Sequence, residues 1–368
     1  MLLVARKNLF SEHTRLAIAV GGIALSVFLI SFLLSLYRGW NEKVGGFVEE
    51  VDADIWIARE GTTDFLAAAS ILPTEPLEQV SISGVEQESL LIVRPMAAHK
   101  DGKKINVHFV GYDTKTGMGG PVRIEAGKDA PGPGEVIVDK SVIDRYGVDI
   151  GGTISAANRD WKVVGVSSGG DFVASHTIFV RFEEAQAALK MGGFATFFLL
   201  KLEKPEERDR MARDLGALNP EILAITREDF ASATRDRILG EILPILSVIL
   251  MLAFVVGLAV SGLTIYTATV ERTREYGILK AVGFTNGYLY RLVTEQSVVT
   301  GLLGFLLGAG LTIVVGPFAQ DIVPQFVVFV RWQDVLVVFG VTLAMALIAA
   351  YVPVRRLAEI DPVTVFKA

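Results

Sequence analysis

Apolar residues in this chain are bunched into four blocks, at Leu16–Tyr37, Ile242–Thr267, Leu292–Val315 and Val335–Val352. A helix crossing the hydrocarbon core of a bilayer takes about 20 apolar residues, so each block predicts a membrane span. Between the first and second blocks the pattern changes to short runs broken by turn residues. Glu135–Asp139, Thr153–Ala157, Trp161–Val166, Thr177–Val180, Phe197–Leu202 and Glu221–Ile225 read as strands, with Asn158-Arg159-Asp160 turning a hairpin. Ser141–Tyr146 reads as a short helix stopped by a left-handed Gly147. Phe182–Met191 reads as a helix ended by Gly192-Gly193, and Pro205–Leu218 as one with proline at its start. Gly117–Gly134, rich in Gly and Pro, reads as loop. Strands mixed with helices predict a compact α+β unit. The expected fold class is a membrane all-α bundle of four transmembrane helices with an inserted α+β extracytoplasmic domain.

Thr226-Arg-Glu-Asp229 has the form of a capping box. The helical pattern after it runs without a break into the second span and ends near Arg274. At 1.5 Å per residue such a helix of about 45 residues would reach nearly 70 Å, the length of a stalk. Met1–Thr14 pairs apolar Leu2, Leu3, Leu9 and Phe10 with Arg6, Lys7 and Glu12. It reads as an interfacial helix, or as a frayed start to the first span. The expected divisions are an N-terminal amphipathic cytoplasmic helix (1–15), the first span and stalk (16–40) and the extracytoplasmic domain (41–226). A stalk with the second span (227–270), a coupling helix (271–290), the third span (291–318), the fourth span (333–353) and a cytoplasmic tail (354–368) complete them.

Composition supports the membrane reading: 51% of the 368 residues are hydrophobic and the mean hydropathy is +0.46. The net charge of −6 is unevenly placed. Residues 41–240 carry 23 Lys+Arg against 32 Asp+Glu, and the rest of the chain carries 12 against 9. Nothing here resembles the clustered positive charge of a nucleic-acid surface. Basic residues flank the spans at Arg6, Lys7 and Arg15, at Arg272, Arg274, Lys280 and Arg291, and at Arg355, Arg356 and Lys367. The loop between the third and fourth spans has only Arg331, with Asp321 and Asp334. By the positive-inside rule both termini and the second loop are cytoplasmic. The first span is too long for a signal-peptide core, and Leu36-Tyr37-Arg38 is no small-residue cleavage site, so it reads as a retained anchor. The absence of cysteine excludes disulfides, thiolate metal sites and cysteine nucleophiles.

Catalytic motifs are missing. Gly127-Lys128 is followed by Asp129, and Val122 stands where a phosphate loop needs its first glycine. The same Val122 spoils the dinucleotide pattern begun by Gly117-Met-Gly119. His13, His99, His108 and His176 have no metal-ligand spacing, and no Gly-x-Ser-x-Gly elbow occurs. Ionisable residues are scarce within the spans; Glu295, four residues after Arg291, reads as half of an interfacial pair. That scarcity points to a protein driven by a partner and not by an ion passing through it. Gly304 and Gly308 form a small-xxx-small pair for close helix packing. The densest local signal is Glu271–Thr285, charged first and then amphipathic. Tyr276, Leu279 and Val282 recur at helical spacing and are expected on one face, to enter a groove on a partner. Arg274, Glu275 and Lys280 are expected at the rim, with Gly277 and Gly283 allowing close approach and a sharp exit.

Within this segment, Arg274-Glu-Tyr-Gly277-Ile-Leu-Lys280-Ala-Val-Gly283 resembles the coupling-helix signature of the MacB/FtsX-like (type VII) ABC transporter permeases. Pro353-Val-Arg-Arg356-Leu-Ala-Glu-Ile-Asp361-Pro362-Val resembles their C-terminal motif, and Ala5-Arg6-Lys7-Asn8-Leu9 their N-terminus. Gly134-Glu-Val-Ile-Val-Asp139, Tyr146-Gly-Val-Asp-Ile-Gly151 and Trp161-Lys-Val-Val-Gly165 resemble the family's extracytoplasmic core domain. The size is similar to DevC-like and LolC/E-like members. The resemblance implies a MacB-type permease fold, a homodimer in the bacterial plasma membrane, and two separate ABC ATPase subunits that bind ATP and Mg. This chain would then hold no cofactor and no enzyme site, and would couple ATP hydrolysis to outer movements by mechanotransmission. Further implied partners are membrane lipids and either a periplasmic adaptor (membrane fusion protein) or an extracytoplasmic enzyme. Two readings stay open: export or extraction of a hydrophobic or amphipathic substrate, and FtsX-like signalling to a cell-wall enzyme without transport.

Overall fold

The computed structural model of the chain describes residues 13–66, 70–75, 82–169, 175–322 and 327–358. The expected interfacial helix before His13 and the tail beyond residue 358 lie outside them. Contacts divide the chain into two compact units, Met1–Gly39 with Ile242–Ala368, and Trp40–Glu241.

Helix α1 (His13–Val44) carries the first apolar block, and the short α2 (Gly46–Glu50) follows. The strands and helices of the inserted region come next: β1 (Ile55–Arg59), β2 (Leu72–Pro73), β3 (Val85–Lys100), β4 (Lys103–Tyr112), β5 (Arg123–Gly127), β6 (Glu135–Asp139), α3 (Lys140–Tyr146), β7 (Thr153–Ala156), β8 (Arg159–Ser168), β9 (His176–Arg181), α4 (Phe182–Leu189), β10 (Phe194–Ala195), β11 (Phe197–Leu202), α5 (Arg208–Leu218) and β12 (Ile222–Thr226). The remaining helices are α6 (Arg227–Glu271), α7 (Thr273–Ala281), α8 (Asn286–Ile322) and α9 (Trp332–Ala358).

Ten strands form one sheet in the order β12-β1-β11-β3-β4-β9-β6-β8-β5, with β7 bridging β3 and β8. Pairs β4/β9 and β6/β8 are parallel and the others antiparallel. Apolar layers cover both faces, which is why central strands such as β6 and β9 are buried along nearly their whole length. On one face Trp56, Phe65, Phe197 and Phe230 pack with Phe47 of α2. On the other, Phe109, Trp161, Val136 and Ile178 pack under α3 and α4, and Ile55, Ile57 and Leu200 pack under Ala212 of α5. The α+β expectation therefore holds.

Local signals explain most turns. Asp139 caps α3 by accepting from the Ser141 N–H at 2.9 Å, and Gly147 ends that helix at φ 65°. Ala157 and Asn158 take positive φ in the β7–β8 hairpin. Three expectations need correction. Gly117–Gly134 is not all loop, because its residues 123–127 pair with β8 as an edge strand. Helix α4 stops at Leu189, where Lys190 adopts the left-handed cap before Gly192 is reached. Pro205–Glu207 forms a 3₁₀ turn, and the α-helix starts only at Arg208. The β3–β4 hairpin, turning at Asp101 (φ 48°) and Gly102 (φ 77°), is a further element beyond the strands expected.

Among the described residues, four helices are long and apolar enough to cross a membrane. Helix α6 begins at the expected box, with Thr226 Oγ1 accepting from the Asp229 N–H at 3.3 Å and donating to its carboxylate at 2.8 Å. It runs 45 residues and contains Pro244. In the bundle, α8 lies against α1, because a Cβ on Gly304 would come within 2.5 Å of Ile23 Cγ2 and one on Gly308 within 2.5 Å of the Ala24 carbonyl oxygen. The small-xxx-small pair thus packs within the chain.

Candidate functional site

The segment that joins the second and third spans is built by three local devices. Helix α6 ends at Glu271, and Arg272 leaves helical geometry at φ −96°, ψ 16°. Helix α7 then runs for nine residues. It closes with two reversed bonds, Phe284 N–H to the Leu279 carbonyl and Gly283 N–H to the Lys280 carbonyl, both 3.0 Å. That pairing is a Schellman motif, and Gly283 supplies its left-handed position at φ 103°. Helix α8 starts three residues later, so the turn back into the membrane is tight.

Side-chain directions separate the candidate residues. Tyr276 is 3% exposed and packs with Leu289, Leu292 and Val293 of α8 and Ala350 of α9. Leu279, Val354 and Ile265 lie against the same cluster. Burial pushes the Tyr276 hydroxyl above its ordinary pKa, Arg272 working against that and Glu275 with it. Gly277 is buried as well. Arg274 and Glu275 are exposed, Lys280 is half-buried, and Ile278, Val282 and Phe284 present apolar surface, Val282 being 74% exposed.

Here the expected face needs correction. Tyr276 and Leu279 do not share an outward face with Val282. The aromatic ring fills the cleft between α8 and α9, where burying a large apolar side chain is worth about 1.5–3 kcal/mol. Val282 sits at the C-cap, beyond the last full turn. Gly277 lies on the buried part of the helix and Gly283 in the exit turn. The outward set is therefore Arg274, Glu275, Ile278, Val282 and Phe284.

A second feature escaped the sequence reading. Arg38 near the end of the first apolar block bonds Asp334 at the start of α9, Nε to both carboxylate oxygens at 3.2 Å and Nη2 to Oδ1 at 3.1 Å. Asp334 is buried, so the pair ties α1 to α9 where a lone charge would be costly. Opposite charges at the ends of two apolar blocks were the available signal. The Arg291–Glu295 pair is present at 2.8 Å.

In the inserted unit, Asp139, Ser141 and His176 stand together without forming a nucleophile. Ser141 Oγ is 2.6 Å from both Asp139 Oδ1 and His176 Nδ1, and Arg145 Nη1 lies 3.2 Å from His176 Nε2. Hydrolytic triads place the imidazole between serine and acid. Here the serine is in the middle, donating to the carboxylate, and the guanidinium occupies the outer ring nitrogen. This chain of bonds fixes the start of α3 against β9.

Comparison with known proteins agrees with this architecture. The MacB-like periplasmic core domain family matches residues 16–218, and the FtsX-like permease C-terminal family matches residues 240–362. An uncharacterized ABC transporter permease of Mycobacterium bovis is 24% identical over 374 residues, covering 100% of this chain and 99% of that protein. The probable syringafactin export ATP-binding/permease protein SyfD of Pseudomonas syringae pv. tomato is 21% identical over 383 residues, covering 96% of this chain and 57% of its own length. The crystal structure of the periplasmic region of MacB from Actinobacillus actinomycetemcomitans is similar at 12% identity and a TM-score of 0.37, covering 50% of this chain and 94% of that one. Membership of such a group implies an ATPase partner. With the matched domains in this order and four candidate spans, the chain is a multi-pass membrane protein that belongs to the MacB/FtsX-type family of ABC transporter permeases.

Proposed function

We propose that this permease couples ATP hydrolysis by a separate ATPase subunit to movements of its inserted domain, by mechanotransmission. The observation that carries the reading is the division of labour in α7. Tyr276 and Leu279 hold it against α8 and α9, while Ile278, Val282 and Phe284 are left outward with Arg274 and Glu275. A short helix held in this way passes a push on its outer side into the bundle. The charge pattern beside the spans supports a bacterial plasma-membrane protein with α7 and both termini on the cytoplasmic side. Two such chains, each with its ATPase, form the working unit, and ATP and Mg belong to the ATPase. The coupling residues are Arg274, Glu275, Ile278, Val282 and Phe284 at the contact, Lys280 at its rim, and Tyr276, Gly277, Leu279 and Gly283 behind it. Export of a hydrophobic or amphipathic molecule is the favoured activity, and the similarity to a probable export ATP-binding/permease protein, SyfD, supports export. A periplasmic adaptor fits export, and an extracytoplasmic cell-wall enzyme fits the signalling alternative.

The test uses tagged full-length chain purified from its host with the ATPase that accompanies it. The double change Ile278→Asp and Val282→Asp should release the ATPase and leave the bundle folded. Tyr276→Ala should keep part of the ATPase bound yet abolish its stimulation by the permease. Full retention of the ATPase by the aspartate variant would place docking elsewhere, on the segment around Arg6 or beyond Arg356.

A further inference from the structure

We infer that Arg235 locks a swivel at the point where the chain passes from its first membrane helix into the inserted unit. Helix α1 ends at Val44 and α2 begins at Gly46, with Gly45 between them at φ −95°, ψ −8°. Two successive glycines make this junction a joint, because neither carries a Cβ to restrict rotation. Beyond the joint the chain is held firmly. The Phe47 ring of α2 lies 5.1 Å from Phe65 and 6.2 Å from Phe179, centroid to centroid, in the aromatic core on one face of the sheet. The first turns of α6 enter the same core. Phe230 lies 5.4 Å from Trp56 and 5.6 Å from Phe197, and Thr234 Oγ1 accepts from the Phe65 N–H at 3.2 Å. Helix α2 and the start of α6 are therefore fixed to the sheet, and the glycine pair connects them to the end of α1.

One side chain spans this joint. Arg235 follows Thr234 on α6; its Nε donates to the Asn41 carbonyl on the α1 side at 3.1 Å, and its Nη2 meets the Glu49 carboxylate on the α2 side. Between these contacts the guanidinium rests against Gly45, where a Cβ would come within 2.7 Å of Cζ and 2.8 Å of Nε. A planar fork of donors suits the task, since it holds a carbonyl and a carboxylate in fixed directions at once. The pair adds little to stability, because the Glu49 side chain is 45% exposed and exposed pairs are screened. Its contribution is geometric. With the fork seated, α1, α2 and the start of α6 turn together. Without it, α1 swings about Gly45-Gly46, and its displacement is absorbed in the joint before it reaches the sheet. Arg235 is thus a positioning residue, and its role rests on the coupling proposed above, in which the membrane helices drive the inserted unit.

The test is pulsed electron paramagnetic resonance on the full-length chain with its ATPase in nanodiscs, the labelled chain diluted with unlabelled copies. The absence of native cysteine leaves the labels unambiguous. Ile18→Cys with Asn158→Cys reports α1 against the inserted unit, and Asn158→Cys with Leu218→Cys reports the inserted unit alone; all three positions are exposed. Arg235→Met should broaden the first distance distribution roughly twofold while the second, and the thermal midpoint, stay as they were. Gly45→Ala keeps every charge but displaces the guanidinium, and should broaden the first distribution in the same way. Arg235→Lys, which retains the charge facing Glu49, should recover part of the sharpness. ATP with vanadate should shift the first distribution in the unaltered chain, and shift it less in Arg235→Met. A first distribution as sharp in Arg235→Met and Gly45→Ala as in the unaltered chain would overturn the lock. So would equal broadening of the second pair, which would mean that the inserted unit itself had loosened. Broadening of the first pair alone, with no nucleotide shift in the unaltered chain, would support the lock and remove the coupling reading instead.

Discussion

The two units of this chain bury different things. In the inserted unit the fully enclosed side chains are the largest available, Trp56, Trp161, Phe65, Phe109, Phe179 and Phe197 among them. In the membrane unit the enclosed set is mostly small or hydroxylated, including Ala24, Ser26, Ser261, Ser297, Thr312, Thr342 and Ala346, while Leu306, Ile245 and Met251 face outward. Water drives the first pattern, because each aromatic ring removed from it gains free energy roughly in proportion to area. Lipid gives no such reward, so the second relies on close backbone approach and internal hydrogen bonds. Ser297 Oγ, for example, donates to the Ala346 carbonyl across α8 and α9, and Ser261 Oγ to the Gly257 carbonyl within α6.

The sharpest way to break this contrast is a matched pair of truncations. Trp161→Ala removes a buried indole whose Nε1 donates to the Ala156 carbonyl at 3.0 Å. It should cost about 3–5 kcal/mol, read as a lower urea midpoint for the strand signal of the full chain in detergent. Leu306→Ala removes a side chain of ordinary core size from the lipid face and should change stability by no more than about 0.5 kcal/mol. Equal losses would mean that both units obey one rule.

Acidity probes the inserted unit next. His108 is buried, and that burial holds its pKa down at about 4, partly offset by the Leu66 carbonyl and Asp64. Its Nε2 faces the Leu66 carbonyl at 3.2 Å and its Nδ1 the Ser175 hydroxyl at 2.8 Å, an arrangement suited to the neutral ring. The folded state then excludes a proton that the unfolded chain binds below about pH 6.5. Stability from this residue is complete above that pH and falls as pH drops from 6.5 towards 4, by about 3 kcal/mol across the window. Urea midpoints should decline over this range, and His108→Gln should flatten the decline. An unaltered slope in the glutamine variant would assign the acid sensitivity to other groups.

A smaller effect is expected at the Arg38–Asp334 pair. Removing one partner of a buried pair costs about 3–5 kcal/mol, but the Arg38 side chain is 34% exposed, which should reduce the loss to about 2 kcal/mol. Asp334→Asn should therefore lower the thermal midpoint of the detergent-solubilised chain, and Arg38→Met with Asp334→Leu should recover most of it. A double variant no better than the single would show that the pair contributes more than charge compensation.

How much of this was legible depended on distance along the chain. The apolar blocks were readable because the bilayer demands them of every span. Thr226–Asp229 and Gly147 were readable because caps are decided within a few residues. The β3–β4 hairpin is legible too, since Asp101-Gly102 between long runs is a strong two-residue turn signal. Strand β5 was hidden: mostly exposed at the sheet edge, it needs little side-chain pattern and pairs through its backbone. The inward turn of Tyr276 depends on Ala350 in α9, and Arg38 meets a partner 296 positions away. Neither contact leaves a trace in local periodicity, which is why α7 was legible as an element while the burial of Tyr276 was not.

Pro244 gives the long α6 a mechanical character. It lies just past Glu241, where one compact unit of the chain gives way to the other. A proline nitrogen has no hydrogen to give to the carbonyl four residues earlier, here that of Gly240, and its ring crowds that oxygen. Nearby, the Ser247 hydroxyl donates to the Pro244 carbonyl at 2.7 Å, diverting a side chain to the same stretch of backbone. Bending stiffness is therefore lowest at this point, and flexure concentrates there instead of spreading along 45 residues. Sideways load on the helix is therefore expected to be taken up at this weak point, between two stretches of regular hydrogen bonding.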